Sequence, residues 1–255
     1  MVATTQGGYR LSKARYARAN RKFSPPTPDA NTIDFRTSLR RERHIQLVPK
    51  TLAQERLILS LLDACTPVTI AVGPAGTGKS YLAVLAALQK LKTRECSRII
   101  LTRPAVGVEN EQHGFLPGDL TSKMEPWMRP LIDVVQKHYS LKDIENMLRE
   151  GIIEIAPLAF MRGRTFDQAW IVADEMQNAT PNQIKMLLTR IGKDSKIVVT
   201  GDIDQTDRPG VNNGLADICQ RLSARPTPGI SVCELTSKDV QRHPIIDRVL
   251  ELYVS

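Results

Sequence analysis

The sequence predicts an α/β fold with a mostly parallel central sheet and helices on its faces. Five short stretches rich in apolar and β-branched residues have the length of buried strands, and segments with helical spacing of apolar side chains follow several of them. A glycine-rich stretch, Gly73–Ser80, lies between the first of these strands and the first long helix. Strands that alternate with helices build parallel sheets, and polar residues after such strands gather at one edge.

The glycine-rich stretch reads GPAGTGKS and fits the phosphate-binding loop pattern of a glycine, four intervening residues and then Gly-Lys-Ser or Gly-Lys-Thr. Its glycines permit a tight curl in which backbone N–H groups face a phosphate chain. The apolar run Val68–Val72 before it and the proline-free run from Lys79 to about Leu91 after it complete a strand, a loop and a helix. We therefore predict a nucleotide contact for each loop residue: Gly73, Pro74, Ala75, Gly76, Thr77, Gly78, Lys79 and Ser80.

Length and composition favour one large domain with a tail. The chain has 255 residues, of which 42% are hydrophobic, and we predict an N-terminal arm at 1–48 and a nucleotide-binding domain at 49–255. No apolar run approaches the roughly 18 residues that cross a bilayer, so we expect a cytoplasmic protein. Widely spaced cysteines argue against a zinc site and a disulfide framework, and they are Cys65, Cys96, Cys219 and Cys233.

The net charge of +8 is concentrated at the N-terminus. Residues 1–43 carry ten basic and three acidic side chains, a balance of 10 − 3 = +7, which leaves 8 − 7 = +1 for the rest. A basic arm with few apolar residues cannot bury enough surface to order itself, and nucleic acid is the partner that its charge suits. A solubilising tail without a partner explains the same composition.

A helix predicted from Thr51 to about Ala64 leads into the first strand, and Gln54 lies on its first turns. An amide donates and accepts hydrogen bonds at once and so can match N6 and N7 of adenine. A glutamine on a helix is otherwise an ordinary solvated residue. Gln54 is therefore a candidate for adenine recognition.

The second predicted strand, Ser97–Thr102, is followed by Arg103, which places a cation on the ligand side of an open α/β sheet. Residues 109–119 are rich in glycine and proline, and we predict a long surface loop on the same side. Residues 124–150 are predicted to be helical, with a break at Pro130.

The third predicted strand spans 151–156, and the fourth begins at Trp170. Two adjacent acids, Asp174 and Glu175, follow the fourth strand. At the carboxyl end of a strand, both acids can turn toward a nucleotide. Asp174 then suits the outer coordination sphere of a Mg²⁺ ion that the Ser80 hydroxyl binds, and Glu175 suits activation of the attacking water. A second acid in this place favours hydrolysis over binding alone.

The final predicted elements bring further polar groups to the same edge. A helix capped by Thr180 is predicted to stop at Gly192, and a strand over Ser195–Thr200 delivers Gln205, which can contact the γ-phosphate or the water. Arg242 precedes a closing helix and could neutralise charge on the transferred phosphoryl group. Most arginines in such places are only solvated.

Taken together, these motifs resemble the PhoH family of P-loop ATPases, over about residues 50–253. The family in turn resembles the first RecA-like core of superfamily 1 helicases. Met176 departs from the family pattern, which usually has alanine there, and Asn110 stands where glycine is common. The motifs that carry the resemblance are GPAGTGKS, TRPA, GFLPGD, APLAFMRGRT, DEMQN, LTRIG, TGDIDQTD and VQRHP.

The resemblance implies a RecA-like parallel sheet, ATP with Mg²⁺ and a link to RNA. It assigns catalytic roles to Lys79, Glu175, Gln205 and Arg242, nucleotide contacts to Gln54 and Arg103, and the metal site to Ser80 and Asp174. Such helicases place the nucleotide between two cores, but this chain holds one, so we expect a homo-oligomer, a ring hexamer above all. The alternative is a monomer in which Arg242 acts within its own subunit.

Three functions are compatible with these residues. The first is an ATPase coupled to RNA or other nucleic acid, including one that works as a helicase-like motor. The second is a phosphotransferase that acts on a small molecule, which the adjacent acids disfavour because a kinase needs an acceptor in place of an activated water. The third is a nucleotide-dependent scaffold with little turnover.

Overall fold

The computed structural model describes residues 45–104, 120–205, 212–241 and 245, without the side chains of 120–127. Expectations for the arm before residue 45, the loop 109–119, Arg242 and the closing helix lie outside these residues, and the boundary at 48 stays a prediction. Six helices of eight residues or more occur in the described part: α1 (Leu52–Leu62), α2 (Lys79–Lys92), α3 (Leu120–Gln136), α4 (Leu141–Arg149), α5 (Pro181–Leu188) and α6 (Gly214–Ala224).

Six strands form one sheet in the order β3-β2-β4-β5-β1-β6, and all neighbouring pairs are parallel. The predicted parallel α/β fold is therefore confirmed. Strand β5 lies between β1, which leads into the glycine-rich loop, and β4, which leads into the two acids. The strands are β1 (Val68–Val72), β2 (Arg98–Thr102), β3 (Ile153–Ile155), β4 (Ala169–Ala173), β5 (Lys196–Gly201) and β6 (Ile230–Glu234).

The centre of the sheet is buried on both faces. Every residue of β1, β4 and β5 is buried, which explains why these strands read as continuous apolar runs without alternation. Helix α2 packs on the sheet through a run of buried residues that includes Leu85 and Leu88. Each buried leucine or isoleucine contributes about 1.5–3 kcal/mol. This rigid core holds the carboxyl ends of β1, β4 and β5 side by side.

Most predicted elements are present, and two observed elements were not predicted. All five predicted strands occur, but β6 and α6 have no counterpart in the sequence analysis. The predicted break at Pro130 is wrong, because α3 runs through this residue to Gln136. Pro130 is exposed, and a proline there removes one helical hydrogen bond without burying a polar group. The chain instead leaves the helix before Ser140, whose capping box begins α4.

The predicted start of α5 is confirmed in detail. The Thr180 hydroxyl accepts a hydrogen bond from the Gln183 N–H, the Gln183 side-chain oxygen accepts one from the Thr180 N–H, and Pro181 is the first helical residue. The helix ends at Leu188, before the predicted stop. None of the helices in the described ranges is long and apolar enough to cross a membrane.

Candidate active site

A cavity of about 250 Å³ lies at the carboxyl edge of the sheet, between the glycine-rich loop and the two acids. It brings together residues separated by more than a hundred positions, because β1, β4 and β5 end beside one another. Gln54, Gly73, Pro74, Thr77 and Arg103 are absent from its wall. The cavity is lined by Ala75, Gly76, Gly78, Lys79, Ser80, Tyr81, Asp174, Glu175, Gly201, Asp202 and Gln205.

The loop starts at Gly73, which is wedged between β5 and the end of β6. Its N–H donates to the Gly201 carbonyl at 3.2 Å, and its φ of +142° lies in the region that favours glycine. A Cβ at this position would lie 2.1 Å from the Leu235 carbonyl oxygen. A side chain at residue 73 would therefore displace the backbone after β6.

Lys79, the first residue of α2, is buried with its ammonium group directed at the loop. Its Nζ donates to the carbonyls of Gly73 at 2.5 Å and Pro74 at 2.8 Å, and lies 3.4 Å from the Thr77 hydroxyl. The Thr77 hydroxyl itself donates to Pro74 at 2.8 Å. These bonds hold the loop curled around the lysine, which is the geometry that a phosphate-binding loop requires.

Asp174, just past β4, is the most heavily bonded carboxylate of the site. The Ser80 hydroxyl donates to its Oδ1 at 2.6 Å, and the Thr200 hydroxyl donates to the same oxygen at 2.5 Å. The Arg103 guanidinium donates to Oδ2 through Nε at 3.1 Å and through a second nitrogen. Asp174 is 2% exposed, and a buried carboxylate is tolerated only when it is paired and hydrogen-bonded in this way.

Glu175 has a different environment from its neighbour. Its side chain is exposed, and its backbone adopts the left-handed conformation, with φ +55° and ψ +37°. A non-glycine residue in this conformation costs on the order of 1 kcal/mol, and such strain clusters at functional sites. The Gln177 amide donates to Glu175 Oε2 at 2.6 Å. The strained turn thus directs one acid into the sheet edge and the next toward the cavity.

Gln54 and Arg103, which are both predicted to contact a nucleotide, bind protein groups in the structure. Gln54 is buried, its Nε2 donates to the Thr77 carbonyl at 3.0 Å, and its Oε1 accepts from the Lys50 N–H at 2.8 Å. Arg103 makes its ion pair with Asp174. Gln54 therefore stabilises the loop and Arg103 stabilises the acid, and their contacts with a nucleotide stay predictions.

The segment after β5 contributes Asp202 and Gln205 to the cavity wall. Gln205 is exposed, and its N–H donates to the Asp202 carbonyl at 3.3 Å. The Asp202 carboxylate accepts from the Asp204 N–H at 3.1 Å, which closes a tight turn. This turn holds Gln205 in the wall of the cavity.

Sequence reasoning missed three residues that the fold brings to this site. Thr200 and Gln177 lie inside motifs that were recognised, but nothing local indicates that their side chains contact the acids. Tyr81 follows the loop, lines the cavity and carries the Lys137 ammonium 4.9 Å above its ring. An aromatic residue directly after a phosphate-binding loop is a signal that could have been used.

The Ser80 and Asp174 oxygens fit a magnesium ion. Mg²⁺ prefers hard oxygen ligands and takes one or two from protein, with water and phosphate oxygens for the rest. The Ser80 hydroxyl oxygen and Asp174 Oδ1 are 2.6 Å apart beside the loop, so one ion can use the hydroxyl directly and the carboxylate directly or through water. Arg103 and Thr200 hold that carboxylate in its orientation.

A larger cavity, about 670 Å³, lies at the opposite, amino-terminal edge of the sheet near Trp170 and Lys196. Lys196 Nζ donates to the carbonyls of Ser60 at 2.6 Å and Asp63 at 3.1 Å. Burial lowers the pKa of Lys196 to about 8 and raises the pKa of the Cys96 thiol to about 12. A satisfied lysine and an inert thiol offer no reactive group, so the smaller cavity is the candidate site.

A parallel sheet with a lysine-bearing phosphate loop after β1, and an acid after β4 bonded to the loop serine, defines a nucleotide-binding fold of the P-loop NTPase type. The chain belongs to the PhoH-like protein family, whose model matches residues 46–254. The resemblance inferred from the motifs is thus confirmed.

Relatives in several bacteria support the assignment. The chain is 44% identical over 219 residues to a PhoH-like protein of Synechocystis, 46% over 205 residues to one of Bacillus subtilis, and 40% over 186 residues to Protein PhoH of Escherichia coli. The matches cover 86, 80 and 72% of this chain and 66, 63 and 52% of those proteins. The chain therefore spans about half to two thirds of the length of these relatives.

The alignment with the solved structure of the flagellar accessory protein FlaH from Methanocaldococcus jannaschii covers 81% of this chain and 77% of the FlaH chain. The TM-score is 0.29 and the sequence identity 16%, a likeness too slight to support an inference. Fold class rests instead on the parallel sheet itself, and family membership rests on the sequence matches.

Proposed function

We propose that this protein hydrolyses ATP in a reaction that depends on Mg²⁺. The observation that carries the proposal is the pairing of Ser80 with Asp174 at 2.6 Å, with the exposed carboxylate of Glu175 on the same cavity wall. A metal-binding pair next to an exposed carboxylate supplies what hydrolysis needs beyond binding.

Each residue has a defined task in this reaction. The backbone N–H groups of the loop residues that line the cavity bind the phosphates, and Lys79 moves its ammonium from the loop carbonyls to the β- and γ-phosphate oxygens. Glu175 accepts a proton from the attacking water, and Gln205 orients that water or the γ-phosphate. A bound Mg²⁺ would neutralise charge on the phosphates, held by Ser80 and Asp174.

Coupling to RNA, with helicase-like movement as its strongest form, is part of the proposal. Its support is the +7 charge of residues 1–43, since a basic arm neutralises phosphates without reading sequence. Assembly into a ring hexamer is also part of the proposal: another copy would supply a second wall for the nucleotide, and a head-to-tail contact that closes gives a ring. Arg242 of that copy would then meet the γ-phosphate.

Phosphate release without an added acceptor tests the proposed hydrolysis. We expect Mg²⁺-dependent release of phosphate from ATP, lost on chelation. Glu175→Gln should bind ATP with little change while turnover falls by about two to four orders of magnitude, the usual contribution of a positioned base. Glu145→Gln, an exposed glutamate of α4, is the matched control and should leave turnover unchanged.

Other outcomes point to other functions. Transfer to a small molecule with no free phosphate would identify a phosphotransferase. ATP binding without release of phosphate would identify a scaffold. Full activity of Glu175→Gln would assign the base to another residue.

A further inference from the structure

We propose that Gln177 is a positioning residue, which holds the Glu175 carboxylate in place for water activation and links it to the turn after β5. The proposal rests on the hydrolysis proposed above and adds a residue to it. Gln177 is 4% exposed and absent from the cavity wall, so it acts through Glu175 and not on the substrate.

The Gln177 amide is held at both ends. Its Nε2 donates to Glu175 Oε2 at 2.6 Å, and its Oε1 accepts from the Asp202 N–H at 3.2 Å. One neighbour is an acceptor and the other is a donor, so the orientation of the amide follows from its partners. A carboxylate, a thioether or a hydrocarbon in its place cannot make both bonds.

Gly201 leaves the space that this amide occupies. A Cβ at residue 201 would lie 2.5 Å from Gln177 Oε1, 2.6 Å from Leu215 Cδ2 and 3.2 Å from the Gln177 backbone nitrogen. The end of β5 thus admits the buried amide because it carries no side chain. Such close approach is one of the uses of glycine within a strand.

Glu175 needs a partner of this kind. Its side chain is exposed, and a glutamate at the surface samples many rotamers unless a bond restrains it. The short turn Met176–Asn178 brings Gln177 back beneath the acid, and the left-handed backbone of Glu175 makes this return possible. Hydrogen bonds to an ionised group are among the strongest in proteins, so this contact restrains the carboxylate effectively.

The other end of the amide reaches the segment that carries Gln205. Asp202, whose N–H binds Gln177, accepts from the Gln205 N–H through its carbonyl at 3.3 Å. Gln177 therefore connects Glu175 with Gln205. Its amide binds the Glu175 carboxylate and the Asp202 N–H, and the Asp202 carbonyl accepts from the Gln205 N–H. A shift of the 202–205 turn would alter the position of the Glu175 carboxylate.

Gln177→Met tests the positioning role, because methionine keeps the length and burial of the side chain and loses both bonds. We expect kcat to fall about 10- to 100-fold with the KM for ATP within about threefold, since only a step after binding is affected. Gln220→Met, at an exposed glutamine of α6, is the control and should behave as the wild type. A loss confined to KM, or unchanged kinetics, would overturn the proposal.

A double variant separates positioning from general damage to the fold. If Gln177 acts through Glu175, Gln177→Met should lower kcat no further in a Glu175→Gln background. A multiplied loss would show that Gln177 acts by another route. If Glu175→Gln alone keeps wild-type turnover, Glu175 is not the base, and the proposed function fails independently of the role of Gln177.

Gln177→Glu supplies a second, independent readout. It is nearly isosteric and can still accept from the Asp202 N–H, but it places a second carboxylate beside Glu175. Repulsion between two carboxylates this close would displace Glu175 from its place, so kcat should fall at least as far as in Gln177→Met, with the KM for ATP within about threefold. A wild-type kcat in Gln177→Glu would contradict the contact between the two side chains.

Discussion

The Ser80 hydroxyl at the start of α2 donates to Asp174 Oδ1 just past β4, over a distance of 2.6 Å. The two residues are 94 positions apart, and β5 lies between the strands that precede them. This contact joins the phosphate-binding loop to the acidic motif and creates one site from two sequence motifs.

Lys79→Ala should abolish ATP binding. The substitution removes the cation that meets the β- and γ-phosphates and the bonds that curl the loop around it. Lys185→Ala, at an exposed lysine of α5, is the control for loss of a positive charge. Isothermal titration with ATP measures both, and undiminished affinity in Lys79→Ala would contradict the assignment of the loop.

Two glycines with positive φ should respond very differently to alanine. Gly73→Ala places a Cβ 2.1 Å from the Leu235 carbonyl oxygen, whereas Gly151, with φ +68°, has open space around it. We expect Gly73→Ala to lower the free energy of unfolding by about 3 kcal/mol or more, and Gly151→Ala by about 1 kcal/mol from backbone strain alone. Urea unfolding measures the difference, and equal losses would place Leu235 away from the loop.

Buried Lys196 should make stability rise with pH in the alkaline range. Burial lowers its pKa from 10.5 to about 8, so between these values the unfolded chain binds more protons than the folded protein. Below pH 8 the folded protein must hold the buried charge, and this cost disappears as pH rises toward 10.5. The gain should reach about 2–3 kcal/mol.

The comparison is with Lys196→Met, which lacks the titrating group, and with Lys193→Met at an exposed lysine. Urea unfolding at pH 7.5, 9 and 10.5 should show the free energy of unfolding of the wild type and of Lys193→Met rising relative to Lys196→Met. Parallel pH dependence in all three proteins would mean that Lys196 titrates normally.

Deletion of residues 1–43 should weaken nucleic-acid binding and flatten its salt dependence. The slope of log affinity against log salt counts phosphate contacts at about 0.9 each on duplex DNA and about 0.7 each on single strands. The removed segment carries a charge of +7, so several contacts should be lost. Titrations of a labelled RNA oligonucleotide at several salt concentrations measure the slope. Identical slopes for the full-length and truncated proteins would show that the arm makes no phosphate contacts.

Mixing Lys79→Ala with Arg242→Ala should restore part of the ATPase activity. If the arginine acts on a neighbouring subunit, mixed assemblies contain interfaces with an intact loop facing an intact Arg242. Each variant incubated alone is the control and should stay inactive. No recovery, after exchange of subunits has been demonstrated by mass, would show that the site is not shared.

Sequence alone determined the local features of this protein. The strand, loop and helix around Gly73–Ser80, the strand before Asp174 and the cap of α5 at Thr180 are all visible, because each depends on residues within a few positions. Buried strands in a parallel sheet are apolar throughout, so β1, β4 and β5 stand out. Strand β6 is as long as β1 but only half-buried, and α3 tolerates Pro130, so neither feature has a clear local signal.

Tertiary structure decided which polar groups meet. The strand order places β5 between β1 and β4, and this brings Thr200 and Ser80 to the same oxygen of Asp174. It also directs Arg103 to Asp174 and Gln177 to Asp202. Buried polar groups must find partners, but which partners they find depends on strands far apart in sequence. Local patterns carry no information on that order, and hence none on these contacts.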